Sequence, residues 1–238
     1  MTVEASGHRA EATENLSFVV RWARTPEDLK KAVAIRQAAF SRHVPELGQL
    51  LGLPETADTA PDCSVLLACS KVDGSPLGSA RLRTNACRPL TMEASVELPA
   101  HLRNSRLLET VRLSVAAGAD GALVKHALLK AVWFFCLDNG IDYAMVAARR
   151  HVDRQYTRML FTDVFAGGGF IPMKHSNNIP HRVLQFEVAT AARRFLDTKH
   201  PMARFYLQTQ HPEIEVGALA ASSRLGQAGH ERTAGRGT

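Results

Sequence analysis

The sequence predicts one α/β domain, an α+β sandwich in which a mixed, mostly antiparallel sheet is flanked by helices, and three observations predict it. Two strand-like runs at 64–70 and 77–84 are separated by Asp73-Gly74, a hairpin-turn dipeptide, and a third run follows at 107–115. From 121 to 139 the apolar residues Leu123, Ala127, Leu128, Ala131, Phe134 and Phe135 recur at helical spacing, with Gly140 placed to end the helix in the left-handed region. The whole chain then reads β, α, β, β, β, α, β, α, β, α, and at 238 residues with 45% apolar content it can bury one good core.

The elements follow in order. Residues 1–16 are polar and acidic, and residues 216–238 are small and Gly/Ser/Ala-rich, so both ends are expected to be disordered, leaving 17–215 as the folded domain. Residues 18–23 read as a strand. Thr25-Pro26-Glu27-Asp28 supplies an N-cap hydroxyl, a proline at N1 and acids in the first turn, which starts a helix running to about Phe40. The Gly/Pro-punctuated stretch 44–55 reads as a loop or short helix. After the long helix come a buried strand at 143–148, a helix at 153–165, a breaker at Gly167-Gly168-Gly169, a closing strand at 182–188 and a helical stretch at 191–208.

Composition narrows the chemistry. The 29 Lys and Arg exceed the 23 Asp and Glu by six, a balance suited to an acidic partner. No recognition-helix motif or aromatic-interleaved basic stripe points to nucleic acid, so none is expected as a partner. The four cysteines, Cys63, Cys69, Cys87 and Cys136, form no CxxC pair and no zinc spacing, so no metal is expected and the chain reads as reduced and cytoplasmic. No apolar run approaches the roughly 20 residues of a bilayer span, which leaves at most peripheral membrane contact.

Several charges fall where apolar residues belong. Arg36 shares a helix face with Leu29, Val33 and Phe40, and a buried guanidinium needs an anion, either a structural partner or a ligand. Alternation over 107–115 puts Glu109 in a row with Leu107, Val111 and Leu113, while Arg112 faces the other side unless a bulge intervenes between them. On the neighbouring strand Arg81 and Arg83 share a face with Ser79; Arg83 reads as solvated, whereas Arg36, Arg81 and Arg112 near Glu109 would grip a carboxylate or phosphate bidentately.

The element order resembles that of the GNAT acyltransferases, whose sheet splays beside a bulged strand. Arg36 with Phe40 on the first helix, GSARL at 78–82 and LLETVRLSV at 107–115 narrow the resemblance to the N-acyl amino acid synthases, relatives of the acyl-homoserine-lactone autoinducer synthases. The likeness spans roughly 18–190. It implies transfer of a long-chain fatty acyl group from acyl carrier protein to the α-amine of an amino acid, with lactone synthesis or a non-catalytic carrier-binding module of the same fold as alternatives. Three departures stand out. A CoA-using member is expected to carry a glycine motif entering the long helix, where this chain has AAGADGA at 116–122. The tyrosine expected five residues before a late Gly-Phe is Phe165, and of the acidic pair typical of lactone synthases only Asp62 clearly fits. No bound cofactor is therefore expected, the acyl donor being the phosphopantetheine arm of the carrier.

On this reading Glu109 is the catalytic base and Arg112 its partner, with backbone N–H groups near 113–116 stabilising the oxyanion. Arg36 or Arg81 holds the substrate carboxylate, with Phe40 and Asp62 completing the substrate site. Trp133, Phe134, Met145 and Phe161 either line an acyl slot or are plain core. Arg149, Arg150, Arg154 and Arg158 either dock the carrier or form a solvated face.

Overall fold

The computed structural model describes residues 12–118 and 120–217. In chain order its elements are β1 (Ala12–Thr13), β2 (Phe18–Trp22), α1 (Pro26–Ser41), α2 (Pro45–Leu50), β3 (Cys63–Ser70), β4 (Pro76–Thr84), α3 (Ala100–Arg103), β5 (Leu107–Val115), α4 (Gly121–Asp138), β6 (Tyr143–Arg149), α5 (Asp153–Arg158), β7 (Thr162–Asp163), β8 (Ile171–Met173), β9 (Ile179–Glu187), α6 (Ala191–Asp197), β10 (Thr209–Gln210) and β11 (Ile214–Glu215). Short 3-10 turns occupy Thr56–Thr59, Thr91–Ala94 and Lys174–Ser176.

One nine-stranded sheet runs β11-β2-β3-β4-β5-β6-β9-β7, with β8 also on β9; only the β11/β2 and β5/β6 pairs are parallel. Both faces are covered, which is why β3 is buried from Val65 through Cys69 rather than alternating. Leu66 and Ala68 join Leu82, Leu108 and the α4 residues Val124, Ala127 and Leu128 in the main core. Val65, Leu67 and Cys69 point the other way, onto Ala32 of α1.

Helix α1 starts where its sequence says. The Thr25 hydroxyl accepts from the Asp28 N–H at 3.1 Å, and the Asp28 carboxylate accepts from the Thr25 N–H at 3.3 Å. Arg21 clamps Asp28 at 2.6 and 2.9 Å, and that guanidinium holds the carboxyl well below the usual range. At the far end of the long helix Gly140 has φ 58°, as its position predicts.

Three expectations are corrected. The expected disordered start fails over residues 12–16, because β1 pairs with β10 and Leu16 is buried, its N–H donating to Glu213 at 3.1 Å; Val216 is buried as well. Residues 1–11 and 218–238 lie outside the described residues. The helix expected to 165 stops at Arg158: Leu160 takes φ 67°, and Arg182 draws Asp163 to 3.0 and 2.5 Å so that Thr162–Asp163 pairs with β9. An ion pair and a strand ladder there outweigh helical periodicity. The 191–208 helix breaks after Asp197, where His200 precedes Pro201 and its N–H turns back to the Phe195 carbonyl at 3.0 Å; a π turn, Arg204–Gln208, follows.

Candidate active site

The site begins where two strands part. β5 pairs with β6 only at Leu107↔Tyr143, Leu108↔Ala144 and Glu109↔Met145. Against β4 the register slips between Ser79↔Ser114 and Arg81↔Val111, so Ala80 of β4 opposes both Arg112 and Leu113 of β5, and Arg112 sits in the left-handed region at φ 59°. The bulge is therefore at Arg112 itself, after Val111, rather than between Glu109 and Arg112 as one-residue reasoning had it. It turns the end of β5 away from β6 and opens a cavity of about 260 Å³.

Phe40, Arg112, Ser114, Arg149, Tyr156 and His181 represent the elements that line this cavity, which also receives Arg42, Lys125 and His175; among the described residues no Asp or Glu lines it. Its positive potential follows directly. A second, apolar cavity of about 40 Å³ lies behind it, and Thr110, Leu129 and Met159 line both. Trp133 and Phe161 line that inner pocket, whereas Met145 belongs to a separate core cluster and Phe134 is in neither lining.

Arg36, Arg81 and Arg112 do converge, but not on Glu109. They surround Glu55 and Asp58, neither of which the sequence reading placed in the site. Arg36 donates to Asp58 at 2.9 and 2.8 Å and to Glu55 at 3.3 Å. Arg81 donates to Glu55 and to Asp58, each at 3.0 Å, and Arg112 reaches Glu55 bidentately at 3.0 and 2.9 Å. Burial pushes both carboxyls up, but the guanidiniums outweigh it and hold Glu55 and Asp58 below their ordinary values. Three cations against two anions leave one positive charge in a buried cluster, and Arg112, which lies about 6.0 Å over the Phe40 ring, carries it to the cavity wall. The visible signal was the Glu55-x-x-Asp58 spacing, which places both acids on one turn; the Glu55 N–H donates to Asp58 at 2.7 Å.

Glu109 is fully buried and lines neither cavity. Its carboxylate accepts from the N–H groups of Thr91 at 2.6 Å and Met92 at 3.2 Å. Burial raises it to about 7 in spite of those donors and the nearby Arg83. The expected base is thus displaced from the cavity: Glu109 belongs to the last β5/β6 pair, opposite Met145, and its side chain fastens the Thr91–Ala94 turn. That turn in turn holds the Lys174–Ser176 turn, where the Lys174 N–H donates to the Ser95 hydroxyl at 2.9 Å.

Asp62 is also displaced from its expected role. It pairs with Arg83 at 3.1 Å and with Arg88, away from the cavity lining, and Arg83 is accordingly an ion-pair partner rather than a solvated residue. Of the arginine patch, Arg149 turns into the cavity; Arg150, Arg154 and Arg158 are exposed, Arg150 lying 4.7 Å over the Phe170 ring. Among the N–H groups of 113–116, that of Ala116 is taken by the Leu77 carbonyl at 2.8 Å.

Three further groups were missed because nothing local in the sequence marks them. Tyr156 lines the cavity, and burial pushes its phenol up, so it keeps its proton. His175 is pushed down to about 4 by burial and by Arg112, His181 and Arg81; its carbonyl accepts from Arg112 at 3.0 Å and its Nδ1 is buried without a partner. His181 is lowered by burial and by Arg149 and Arg112, partly offset by the Ile179 carbonyl that its Nδ1 contacts at 2.7 Å.

No protein-family model and no curated protein matches this chain. Solved structures do. The N-acyl amino acid synthase FeeM from uncultured soil microbes aligns with a TM-score of 0.58 at 14% identity, covering 79% of this chain and 96% of that one. A CoA-dependent acyl-homoserine lactone synthase, BjaI, solved with MTA, aligns at 0.51 and 19% identity over 82% of this chain and 93% of its own. A putative acetyltransferase of the GNAT family from Desulfovibrio desulfuricans aligns at 0.50 and 14% identity, covering 72% and 99%. At such identities the shared property is architecture, and with the parted strands and the bulge it identifies the chain as having the GNAT acyltransferase fold.

Proposed function

We propose that this protein is an N-acyltransferase that moves a fatty acyl group from the phosphopantetheine arm of acyl carrier protein to the α-amine of an amino acid. The observation that carries the reading is a pair of adjoining cavities of opposite character that share Thr110, Leu129 and Met159 in their linings. The outer one, cationic and free of lining carboxylates, suits a phosphorylated arm; the inner one, walled by Trp133, Phe161, Phe186 and Phe195, suits an alkyl chain. Thr110, Leu129 and Met159 form the neck, where a thioester would lie beside the bulge.

The acceptor amine attacks the thioester carbonyl, the C–N bond forms and the C–S bond breaks. Tyr156, protonated and in the cavity wall, supplies the proton to the departing thiolate. The surplus charge of the Arg36, Arg81 and Arg112 cluster, which reaches the cavity wall at Arg112, attracts the acceptor's carboxylate. Exposed Arg150, Arg154 and Arg158 favour an acidic carrier.

Incubating the protein with long-chain acyl carrier protein or acyl-CoA and a pool of amino acids, with detection by mass, tests this. N-acyl amino acids from the carrier-bound donor are expected. Exclusive use of acyl-CoA would remove the carrier, lactone products would favour the alternative acceptor chemistry, and no acylated amine from any donor would overturn the reading.

A further inference from the structure

Acyl transfer to nitrogen needs somewhere for a proton to go. Among the described residues that line the outer cavity, Arg42, Arg112, Lys125 and Arg149 are cations, Tyr156 keeps its proton, and none is a carboxylate. Glu109 belongs to the last β5/β6 pair, but its side chain is fully buried under the Thr91–Ala94 turn and lines neither cavity. The remaining candidates are the imidazoles of His43, His175 and His181.

Their settings differ. His43 is exposed at the mouth and its ring has no hydrogen bond among the described residues. His175 lies in a 3-10 turn, with its Nδ1 unpartnered and its basicity pushed down to about 4, too low to hold a proton in the working range. His181 lies within β9 and is paired on both sides, with Arg149 of β6 and with Ile171 of β8. It is 7% exposed and lines the cavity. A carbonyl oxygen accepts only, so the 2.7 Å contact to Ile179 makes Nδ1 the donor, and in the neutral ring the lone pair is on Nε2. A ring with a fixed tautomer on a strand paired on both edges is pre-organised to accept a proton.

We propose that His181 Nε2 takes the proton from the acceptor nitrogen as the amide forms. This rests on the N-acyl transfer reading above. The acceptor reacts as the free amine. Its lone pair forms the C–N bond and the carbonyl π pair moves to oxygen; the nitrogen, now positively charged and acidic, gives one proton to Nε2. Collapse expels the thiolate, which is protonated by Tyr156. The charged groups facing His181 are Arg149 from β6 and Arg112 from β5, with the His175 ring 6.2 Å away on the preceding turn. Both guanidiniums oppose an imidazolium, so the proton is held briefly and passed to water.

His181→Gln keeps the size and an acceptor oxygen but cannot become a cation, and kcat should fall on the order of 10²- to 10⁴-fold. Wild-type kcat at saturating substrates should fall on acidification with a midpoint below the ordinary 6.5, since burial and the two arginines lower the group. His181→Gln should lose this limb, His175→Gln should keep it, and Arg149→Gln should move it to higher pH. A merely structural histidine would give none of these shifts. Imidazole nitrogen NMR on the wild-type protein reads the tautomer without any variant; a proton on Nε2 in the neutral ring would overturn the proposal. Amide formation by His181→Gln within about threefold of wild type, with the limb intact, would overturn it while leaving the acyl-transfer reading standing. An unmoved limb in Arg149→Gln would do the same. Absence of amide with the wild-type protein would overturn both.

Discussion

The two halves of β5 behave as different materials. From Leu107 to Val111 the strand is buried, paired to β4, and over its first three residues paired to β6 as well. From Arg112 to Val115 it keeps only β4, and three of its four residues are half-exposed toward the cavity. Each half has a carboxylate beside it, and the two are handled in opposite ways. Glu109, in the closed half, is met by main-chain N–H groups and rises to about 7; Glu55, leaning on the open half, is met by guanidiniums and falls. Dipoles do not offset desolvation as full charges do, so the closed half stores an acid near neutrality while the open half keeps a permanent ion cluster.

The largest expected effect is at the junction. Arg112→Ala removes the bidentate partner of Glu55, the donor to the His175 carbonyl and the surplus positive charge at the cavity wall, and should cost about 1–3 kcal/mol of stability together with most activity. Arg112→Gly separates side chain from backbone: if the φ of 59° strains this position, Gly should be more stable than Ala there by about 1 kcal/mol. Equal denaturation midpoints for the two variants would show that the bulge is held by pairing alone.

Next comes the neck. Leu129→Phe narrows the passage between the cavities, so donors with long chains should lose kcat/KM at about fourfold per excluded methylene while an acetyl donor is spared. Uniform loss across chain lengths would mean that the alkyl chain lies elsewhere.

A smaller effect separates the two acids by pH. Because the folded value of Glu109 is raised from 4.5 to about 7, its contribution to stability is present below about 4.5 and lost as pH rises toward 7. Glu55 and Asp58, both lowered, contribute in the opposite sense, gaining above their ordinary values and losing as pH falls. The lowered histidines His175 and His181 act in the opposite sense over the same window, so the Glu109 contribution is read as a difference: the urea midpoint of Glu109→Gln should gain on that of the wild type as pH rises from about 5 to 7.5.

The same contrast explains what the sequence disclosed. Order and span of β2, α1, β3, β4, β5 and α4 were legible because they rest on local signals: the Thr25 cap, the Asp73-Gly74 turn and the spacing of apolar residues in α4. The grouping of Arg36, Arg81 and Arg112 was legible in part, since Arg36 breaks an apolar helix face and Arg81 and Arg112 lie on neighbouring strands, but it pointed to Glu109. Their partner was not, because Glu55 and Asp58 sit in a 3-10 turn with no periodicity to violate. Likewise His181 in β9 gains its meaning from Arg149 opposite and from a cavity made by the distant bulge at Arg112. The missed end of the 153–165 helix has the same origin, since Arg182 pulls Asp163 into the sheet from a distant strand.

The weakest expected effect concerns the face outside the open half, where the carrier would dock. Arg150, Arg154 and Arg158 are exposed and make no ion pairs among the described residues, so they act on an approaching acidic protein only through a field that salt screens within about 10 Å at 0.1 M. Reversing Arg154 and Arg158 to Glu leaves the cavity lining untouched. It should raise KM for acyl carrier protein severalfold at low salt, with kcat and the KM for the amino acid unchanged, and the difference from wild type should shrink as ionic strength rises. A free acyl-pantetheine donor carries no carrier surface and should be indifferent to the reversal. If its KM rises as much as the carrier's, the arginines act on the arm within the open half and the division between cavity and docking face fails.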